Sequence, residues 1–321
     1  MLHRTLPTGL VALLVAVAPA CSSSSAQCHV GADCASGACG SNGQCVPVTT
    51  GGDDSGSPVG EGGPEASLEA SAEAAPSKDG GSGCVPNDDG TITRAELPML
   101  AGLHASFDIA ENVTMTTGGV SQTDGSIDWD FSGALSGDHT VVITTDTPAG
   151  QWFASKFTSA TYTSKLSDTQ TLLGVYQATA SGLLLQGVVS PTSTAPQTDV
   201  SYSPSADILA VPMQMGATWT STSTVTGTLD GVLADYTEKY DSSVDAHGSL
   251  KVPYGTFQVL RVQTTLTRTT GVTVIQTTQT MTFVAECFGP VARLTSQTTT
   301  APQKVPGNAF TNVAEAWRLS P

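Results

Sequence analysis

The chain has 321 residues and an acidic balance, with 12 Lys and Arg against 28 Asp and Glu and a formal net charge of −16. This balance argues against a nucleic-acid binder, which needs clustered cations, and against docking on anionic lipid heads through a basic patch. Only 12% of the residues are charged, and Thr and Ser supply much of the remaining polarity. Such a composition is typical of exported β-proteins, because Thr suits a half-exposed pleated surface.

The first predicted element is a secretory signal over residues 1–20. A weakly basic start is followed by the apolar run Leu10–Ala18, and Ala18-Pro19-Ala20 supplies a small-residue cleavage site. The apolar run is too short to cross about 30 Å of hydrocarbon as a helix. The sequence therefore predicts an exported chain whose first mature residue is Cys21.

A cleavage site followed by a cysteine resembles the lipobox of bacterial lipoproteins, in which the cysteine sulfur takes a diacylglyceryl group. Ala18 and Pro19 depart from the usual lipobox pattern, and the site also fits an ordinary signal-peptidase cut. The chain has seven cysteines, so assigning Cys21 to lipid leaves six that can close three disulfides. The resemblance implies a lipid anchor at Cys21 and, because Ser22 follows it, an outer-membrane or cell-surface location. The alternative is a secreted protein with a free thiol.

Residues 21–45 are predicted to form a lipid-anchored, Cys-rich module. Too little apolar material lies here to build a core, so crosslinks must hold the shape. Two disulfides are the favoured interpretation and a zinc site is the alternative for the four cysteines Cys28, Cys34, Cys39 and Cys45. Residues 46–83 follow as a disordered Gly, Ser, Pro and acidic linker, which spaces the folded part from the membrane.

Residues 84–103 contain a motif that resembles half of an EF-hand. With Gly90 at the sixth place of a calcium loop, the ligand places fall on Asn87, Asp89, Thr91, Thr93 and Glu96. The first place holds Val85 instead of Asp, and no flanking helix pair is evident. The favoured interpretation is a capped turn, in which Thr93 and Glu96 form a capping box and Pro98 keeps any helix short. Calcium is the alternative, and no other cofactor is predicted.

Cys84 and Cys287 remain as the last pair of cysteines. A bond between them would tie the entrance of the following domain to a late strand and would stabilise the fold by constraining the unfolded chain. Two buried, reduced thiols are the alternative, and they are uncommon in an exported protein. The sequence favours the disulfide.

Residues 104–321 are predicted to form one antiparallel β-domain, because β-branched and aromatic runs recur between Gly, Pro, Asp and Ser breaks. Within Thr256–Thr267 the apolar positions change phase, which predicts a β-bulge, and Thr269-Thr270-Gly271 predicts a hairpin turn. The predicted strands are residues 126–132, 139–145, 152–166, 172–179, 183–189, 217–228, 243–252, 256–269, 272–285 and 291–300.

Three short motifs follow in order at Met215–Trp219, Val252–Phe257 and Phe283–Leu294. Together they resemble the G-x-x-W strand, V-P-x-G-T-F hairpin and G-x-V return strand of half-barrel β-domains of the LolA and LppX type, over about 85 residues. Cys287 replaces the polar residue expected before the last strand. The resemblance implies an all-β, antiparallel, half-open barrel or strongly curved sheet whose concave face holds acyl chains. It implies no catalytic residues.

The sequence shows no G-x-S-x-G, no H-E-x-x-H and no Gly-rich phosphate loop that opens a helix. The four tryptophans are predicted to be core residues, and a sugar-binding platform is the alternative. We therefore predict a non-catalytic surface lipoprotein that binds a lipid or another hydrophobic ligand in the β half-barrel. Its predicted partners are the membrane, through the anchor, and a lipid or another envelope protein. The alternatives are a structural or adhesive protein, and a hydrolase that joins His139 or His247 to carboxylates.

Overall fold

A computed structural model describes residues 84–300 and 309–321. The predictions for the signal, Cys21, the module from Cys28 to Cys45 and the linker lie outside these residues. The described residues contain sixteen strands: β1 (Thr91–Ile92), β2 (His104–Thr114), β3 (Val120–Ser121), β4 (Ile127–Asp130), β5 (His139–Asp146), β6 (Tyr162–Lys165), β7 (Leu173–Thr179), β8 (Gly182–Val189), β9 (Asp199–Ala210), β10 (Met213–Gln214), β11 (Thr218–Leu229), β12 (Val232–Val252), β13 (Gly255–Thr270), β14 (Thr273–Ala285), β15 (Gly289–Ser296) and β16 (Asn312–Ser320). Their helical structure is one 3-10 turn, Arg94–Glu96, and within them no helix has the length and apolar character to span a bilayer.

Twelve of these strands close into an antiparallel barrel. The order around the ring is β11, β9, β8, β7, β6, β5, β2, β16, β15, β14, β13 and β12, and β12 pairs back onto β11. The prediction of an antiparallel, all-β barrel is confirmed, and the ring is closed where a half-open one was predicted. Its shortest pairing joins β5 to β6 through only two residue pairs, Thr145 with Ser164 and Asp146 with Thr163.

Strand β12 is long enough to pair with two different strands, one after the other, along the same edge. Its first half pairs with β11 inside the ring, and residues 248–251 pair in parallel with β4, outside the ring. A register shift lies in β12 between Val244 and Ala246, opposite β13. The bulge predicted within Thr256–Thr267 was therefore placed in the wrong strand. The apolar positions of β13 change phase because Val259 packs in an outer core whereas Leu260 and Val262 pack inside the barrel.

The outer core lies where β4 and the chain beside it cover the outer face of β12–β16. Phe283 is fully buried there and meets Trp129 and Phe131 edge to face, with ring centroids 5.1 and 5.4 Å apart. Trp129 and Trp317 are 2% and 5% exposed, and Trp152 and Trp219 are half-buried. Burial of the tryptophans as core residues is therefore confirmed most clearly for Trp129 and Trp317.

Residues 84–103 close one end of the barrel, which we call the cap end. Ile92, Leu97 and Met99 are less than 8% exposed and join the inner core beside the fully buried Met213. Strand β1 pairs with β10 at this end. The apolar side chains of the segment thus pack into the barrel, which explains why a chain with little regular structure keeps one conformation here.

The Cys84–Cys287 disulfide is formed, with Cα atoms 5.4 Å apart, which confirms the predicted pairing. Hydrogen bonds beside the disulfide join the same two segments, the cap and the β14–β15 turn. The Glu286 carboxylate accepts from the backbone N–H groups of Asn87 and Asp88 at 2.6 and 3.1 Å, and the Cys287 N–H donates to the Glu96 carbonyl at 2.8 Å. The cap is therefore fixed to the β14–β15 turn by covalent and polar contacts.

Candidate functional site

The turn over residues 87–96 uses its own oxygens as hydrogen-bond acceptors. Asn87 Nδ2 donates to Glu96 Oε1 at 2.9 Å, and Glu96 Oε2 accepts from the backbone N–H and the hydroxyl of Thr93 at 2.7 and 2.8 Å. Asn87 Oδ1 and Asp89 Oδ1 accept from the N–H groups of Asp89 and Thr91 at 3.0 and 2.8 Å. These are the bonds of a capped turn, and calcium binding here stays a prediction. Within residues 84–300 and 309–321 no three His, Cys, Asp or Glu side chains lie close enough to share a metal ion.

The alternation of burial along β11 identifies the inner face of the barrel. Thr222, Thr224 and Thr226 are exposed and face out, whereas Ser223 and Val225 are fully buried and face in. The register extends this assignment around the ring, because side chains directly opposite each other in paired strands lie on the same face. The inward series continues from strand to strand through the pairs Ser223–Glu238, Tyr240–Leu266, Leu266–Thr278 and Thr282–Arg293.

On β13, β14 and β15 the usual burial pattern is reversed. The inward side chains are partly accessible, and they are Thr264, Leu266, Arg268, Thr278, Thr280, Thr282, Arg293 and Thr295. The outward neighbours are buried, and they are Gln263, Thr265, Thr277, Gln279, Met281, Ala292 and Leu294. A twelve-stranded ring is wider than the eight-stranded barrels whose interiors side chains just fill. We call the space that these partly accessible inward side chains face the lumen.

The lumen changes from apolar to polar along the barrel axis. At the cap end the inner wall consists of Val262, Val284 and Val244, each no more than 2% exposed, together with the apolar residues of the cap. Further from the cap, β13 and β14 present threonines, each of which offers a methyl group and a hydroxyl. Burial raises the pKa of the Tyr176 hydroxyl in the same wall to about 12, so this side chain stays neutral at physiological pH.

One buried ion pair lies on β12 and β13. Glu238 is 1% exposed, and its Oε1 accepts from Arg268 Nε and Nη2 at 2.9 and 2.6 Å. Its Oε2 accepts from the Tyr240 hydroxyl at 2.6 Å, and Arg268 lies over the Tyr236 ring with Cζ 4.3 Å from the centroid. Both oxygens of the carboxylate thus have partners, which offsets the cost of burying the charge.

A second pair, Arg293 and Glu315, faces the lumen from β15 and β16. Arg293 Nη2 donates to Glu315 Oε2 at 3.3 Å and to the Leu166 carbonyl at 2.8 Å, and the guanidinium lies 4.0 Å from the Trp317 ring centroid. Burial lowers the pKa of Arg293, and the Glu315 carboxylate acts in the opposite direction. Arg293 Nε is buried and has no hydrogen-bond partner among the described residues. Among the described residues, Arg293 therefore carries a buried N–H group on the inner face of the barrel that no protein atom accepts from.

Residues 166–172, which we call the strap, connect β6 to β7 and cross to the strands on the other side of β5. Ser167 Oγ and the Asp168 backbone N–H donate to Glu315 Oε1 at 2.9 and 2.6 Å. The Asp168 carboxylate pairs with Lys165 and, at 2.6 Å, with His139 Nε2. Leu166 and Leu172 pack against the inner core. The strap therefore covers Arg293 and Glu315.

The His139–Asp168 contact makes this closure dependent on pH. The hydrogen bond to Asp168 and, next, the Gly137 carbonyl raise the pKa of His139, while Lys165 and then His139 lower the pKa of Asp168. A raised histidine pKa contributes stability fully below 6.5, and this contribution is lost as the pH rises through the folded-state pKa. A lowered aspartate pKa contributes stability above 3.8, and this contribution is lost as the pH falls. Both contributions to the stability of the fold are therefore expected to be present together in mildly acidic solution.

Asp168→Asn will therefore bring the pKa of His139 back toward 6.5, because the charged partner of the imidazolium is removed. An NMR titration of the His139 ring protons measures this pKa directly. Asp146→Asn, an exposed change on the same strand as His139, is the control and will leave the titration unchanged. A His139 pKa that is the same in Asp168→Asn and in the unmodified chain would contradict the contact.

No family model, curated protein or solved structure matches this chain. The lumen and the strap must therefore be interpreted from their own geometry.

The outer surface carries two open cavities, of about 260 and about 460 Å³. The smaller one brings His139 beside Asp108, Asp138 and Arg318, which is the kind of cluster that the hydrolase alternative requires. Both ring nitrogens of His139 are already in hydrogen-bond contact, with Asp168 and with the Gly137 carbonyl. The larger cavity contains Asp128 and Asp130 on either side of Trp129. His247 is half-buried on β12 and lines neither cavity.

Sequence reasoning did not find the lumen residues Arg293, Glu315, Glu238 and Arg268. Each lies in a Thr-rich or mixed strand. In such a strand the sequence does not distinguish a charged side chain that faces the barrel interior from one that faces solvent. The available signal was weak: Thr278, Thr280 and Thr282 alternate with Gln279 and Met281, which indicates two differently occupied faces. Which face points into the barrel depends on closure of the ring.

Proposed function

We propose that this chain is a lipid-anchored, non-catalytic envelope or surface lipoprotein whose barrel holds an amphiphilic, lipid-like ligand in its lumen. The observation that carries the proposal is the reversed burial of β13, β14 and β15, whose inward side chains are the accessible ones. Ligand sites are commonly concave and largely apolar, with a few convergent polar groups that fix orientation.

The gradient along the lumen favours one orientation of such a ligand. An acyl chain would lie along Leu266 and the threonine methyl groups, with its end toward the cap, whose packing against Val244, Val262 and Val284 closes the lumen there. A polar head would lie toward Arg293, whose Nε can donate to an oxygen. Threonine methyl and hydroxyl groups between these regions suit the junction of chain and head.

The position of the cap is consistent with the anchor predicted at Cys21. The chain enters the described domain at Cys84, at the closed end of the barrel, where the disulfide fixes it. A tether that arrives there leaves the strap and the opposite end of the barrel free of the chain that leads to the anchor. In this arrangement a lipid can be exchanged with a partner that approaches from outside the membrane.

Binding of the neutral fluorescent probe N-phenyl-1-naphthylamine tests the proposal. The full chain, purified in mild detergent and then exchanged out of it, will bind the probe, and lipid extracted from it will be detected by mass spectrometry. Thr280→Trp places a large ring on the inner wall and will weaken probe binding by roughly tenfold, which corresponds to about 1.4 kcal/mol. Thr224→Trp, the same change on the exposed face of β11, is the matched control.

Probe binding that is unaffected by Thr280→Trp, in a variant with the thermal unfolding profile of the unmodified chain, would contradict binding in the lumen. The structural or adhesive alternative would then be favoured, because the described residues include exposed apolar side chains. The β11–β12 and β13–β14 hairpin tips expose apolar side chains, with Val232 70%, Leu233 81% and Val272 101% exposed. Exposed apolar tips of this kind are typical of protein–protein contact, as in the structural or adhesive alternative.

A further inference from the structure

We propose that the strap is a gate, so that the ligand reaches the lumen between β5 and β6 when the strap releases Glu315 and His139. This inference rests on the proposed function, because a gate needs a lumen that is filled and emptied. It concerns the rates of entry and release, whereas the Thr280→Trp experiment concerns the site itself.

The first observation is the gap in strand pairing beside the strap. β5 pairs with β2 over six residues, from His139 to Thr144, but with β6 only at Thr145 and Asp146. Residues 139–144 therefore have a strand neighbour on one side only within the described part of the chain. Val141 and Ile143, which face inward along this stretch, are half-buried. The barrel wall is weakest here, and few backbone hydrogen bonds would break if it opened.

The second observation is that polar contacts close this gap. The strap bonds to Glu315 through Ser167 Oγ and the Asp168 N–H, to Arg293 through the Leu166 carbonyl, and to His139 through the Asp168 carboxylate. Each partner lies on another strand of the ring, on β16, β15 or β5. Water can replace such bonds when the strap leaves, so opening separates Leu166 and Leu172 from the inner core and leaves the other apolar contacts of the barrel in place.

The third observation is the location of the available donor. Arg293 bonds to the strap through Nη2, while its Nε is buried without a partner. Release of the strap uncovers this guanidinium, and a ligand oxygen can reach it from the gap. Closure then returns the Leu166 carbonyl to Arg293 over the bound ligand. The strap therefore controls access to the polar end of the lumen.

Stopped-flow measurement of N-phenyl-1-naphthylamine binding to the full chain tests the gate. Asp168→Asn removes the ion pairs to Lys165 and His139, and Ser167→Ala removes one bond to Glu315 without a change of charge. We expect each variant to raise both the association and the dissociation rate, with Asp168→Asn faster by roughly tenfold and the equilibrium affinity unchanged within about twofold. Asp235→Asn, an exposed change of the same kind on β12, is the control with unchanged rates.

Rates equal to those of the unmodified chain in both strap variants would overturn the gate, even if Thr280→Trp still blocks the lumen. An affinity lost in proportion to the faster dissociation, with association unchanged, would also overturn it, because the strap would then be part of the binding wall. If the unmodified chain binds no probe at all, the proposed function fails first. The two proposals therefore fail in distinguishable ways.

Discussion

Replacing both Cys84 and Cys287 with serine will lower the free energy of unfolding by about 5 kcal/mol, the value that the chain-entropy model gives for a crosslink of this span. The bond joins residues 203 positions apart, so it lowers the conformational entropy of the unfolded chain. Denaturant unfolding of the double variant and of the unmodified chain, under the same non-reducing conditions, measures the difference.

The same variant will also loosen the cap before the rest of the barrel. Without the bond, Ile92, Leu97 and Met99 are held by their own burial and by the short β1–β10 pairing. Hydrogen exchange of residues 91–97 will therefore become faster than exchange in β13 and β14, each of which pairs with a strand on both sides. A double variant within about 1 kcal/mol of the unmodified chain, with an unchanged exchange pattern, would contradict the role of the disulfide in fixing the cap.

Local patterns predicted those strands whose residues alternate or cluster by type. The run His139–Thr145 agrees with β5, and Thr269-Thr270-Gly271 leads into the tight turn between β13 and β14. Gly271 has a φ of 58°, a left-handed value that favours glycine. Because the strand and the turn depend on residues that are close in sequence, a short segment of the sequence is enough to predict them.

The strands that were missed depend on partners far along the chain. β2 and β16 carry Glu111, Glu315 and Arg318 among their apolar residues, and β9 contains Pro204. Such residues are unfavourable in an isolated strand, but Arg318 is buried here against Asp138 and the carbonyls of Phe131 and Gly133. Tertiary pairing therefore overrides local preference.

The lumen could not be predicted for a related reason. Its wall consists of alternate residues of β13, β14 and β15, and because polar residues such as Thr and Gln occur on both faces of these strands, the sequence does not show which face points inward. Closure of β12 onto β11 decides which face is internal. The strap contacts Glu315 through the Asp168 backbone N–H, and these two residues are 147 positions apart in the chain. Contacts at such separations leave no local signal in one sequence.

Gly248→Ala will destabilise the protein by about 2–6 kcal/mol, the sum of about 1–3 for backbone strain and about 1–3 for overpacking. Gly248 has a φ of 149°, and a Cβ atom there would lie 2.0 Å from the Ile127 carbonyl oxygen. Ile127 is the residue that pairs with Gly248 where β4 joins β12 in parallel. Backbone, rather than a flexible side chain, must therefore move, and β4 must separate from β12.

Thermal unfolding monitored by tryptophan fluorescence will show this loss directly, because β4 carries the buried Trp129 over Phe283. Gly255→Ala, at the start of β13, is the matched control. No atom lies within 4 Å of a Cβ at Gly255 and its φ is outside the left-handed region, so alanine there will be neutral or will stabilise by up to about 1 kcal/mol. Equal stabilities for the two variants would show that β4 does not pack on β12 in this way. The glycine in the β12–β13 hairpin then matters less than the glycine beneath β4, because only Gly248 makes room for another backbone.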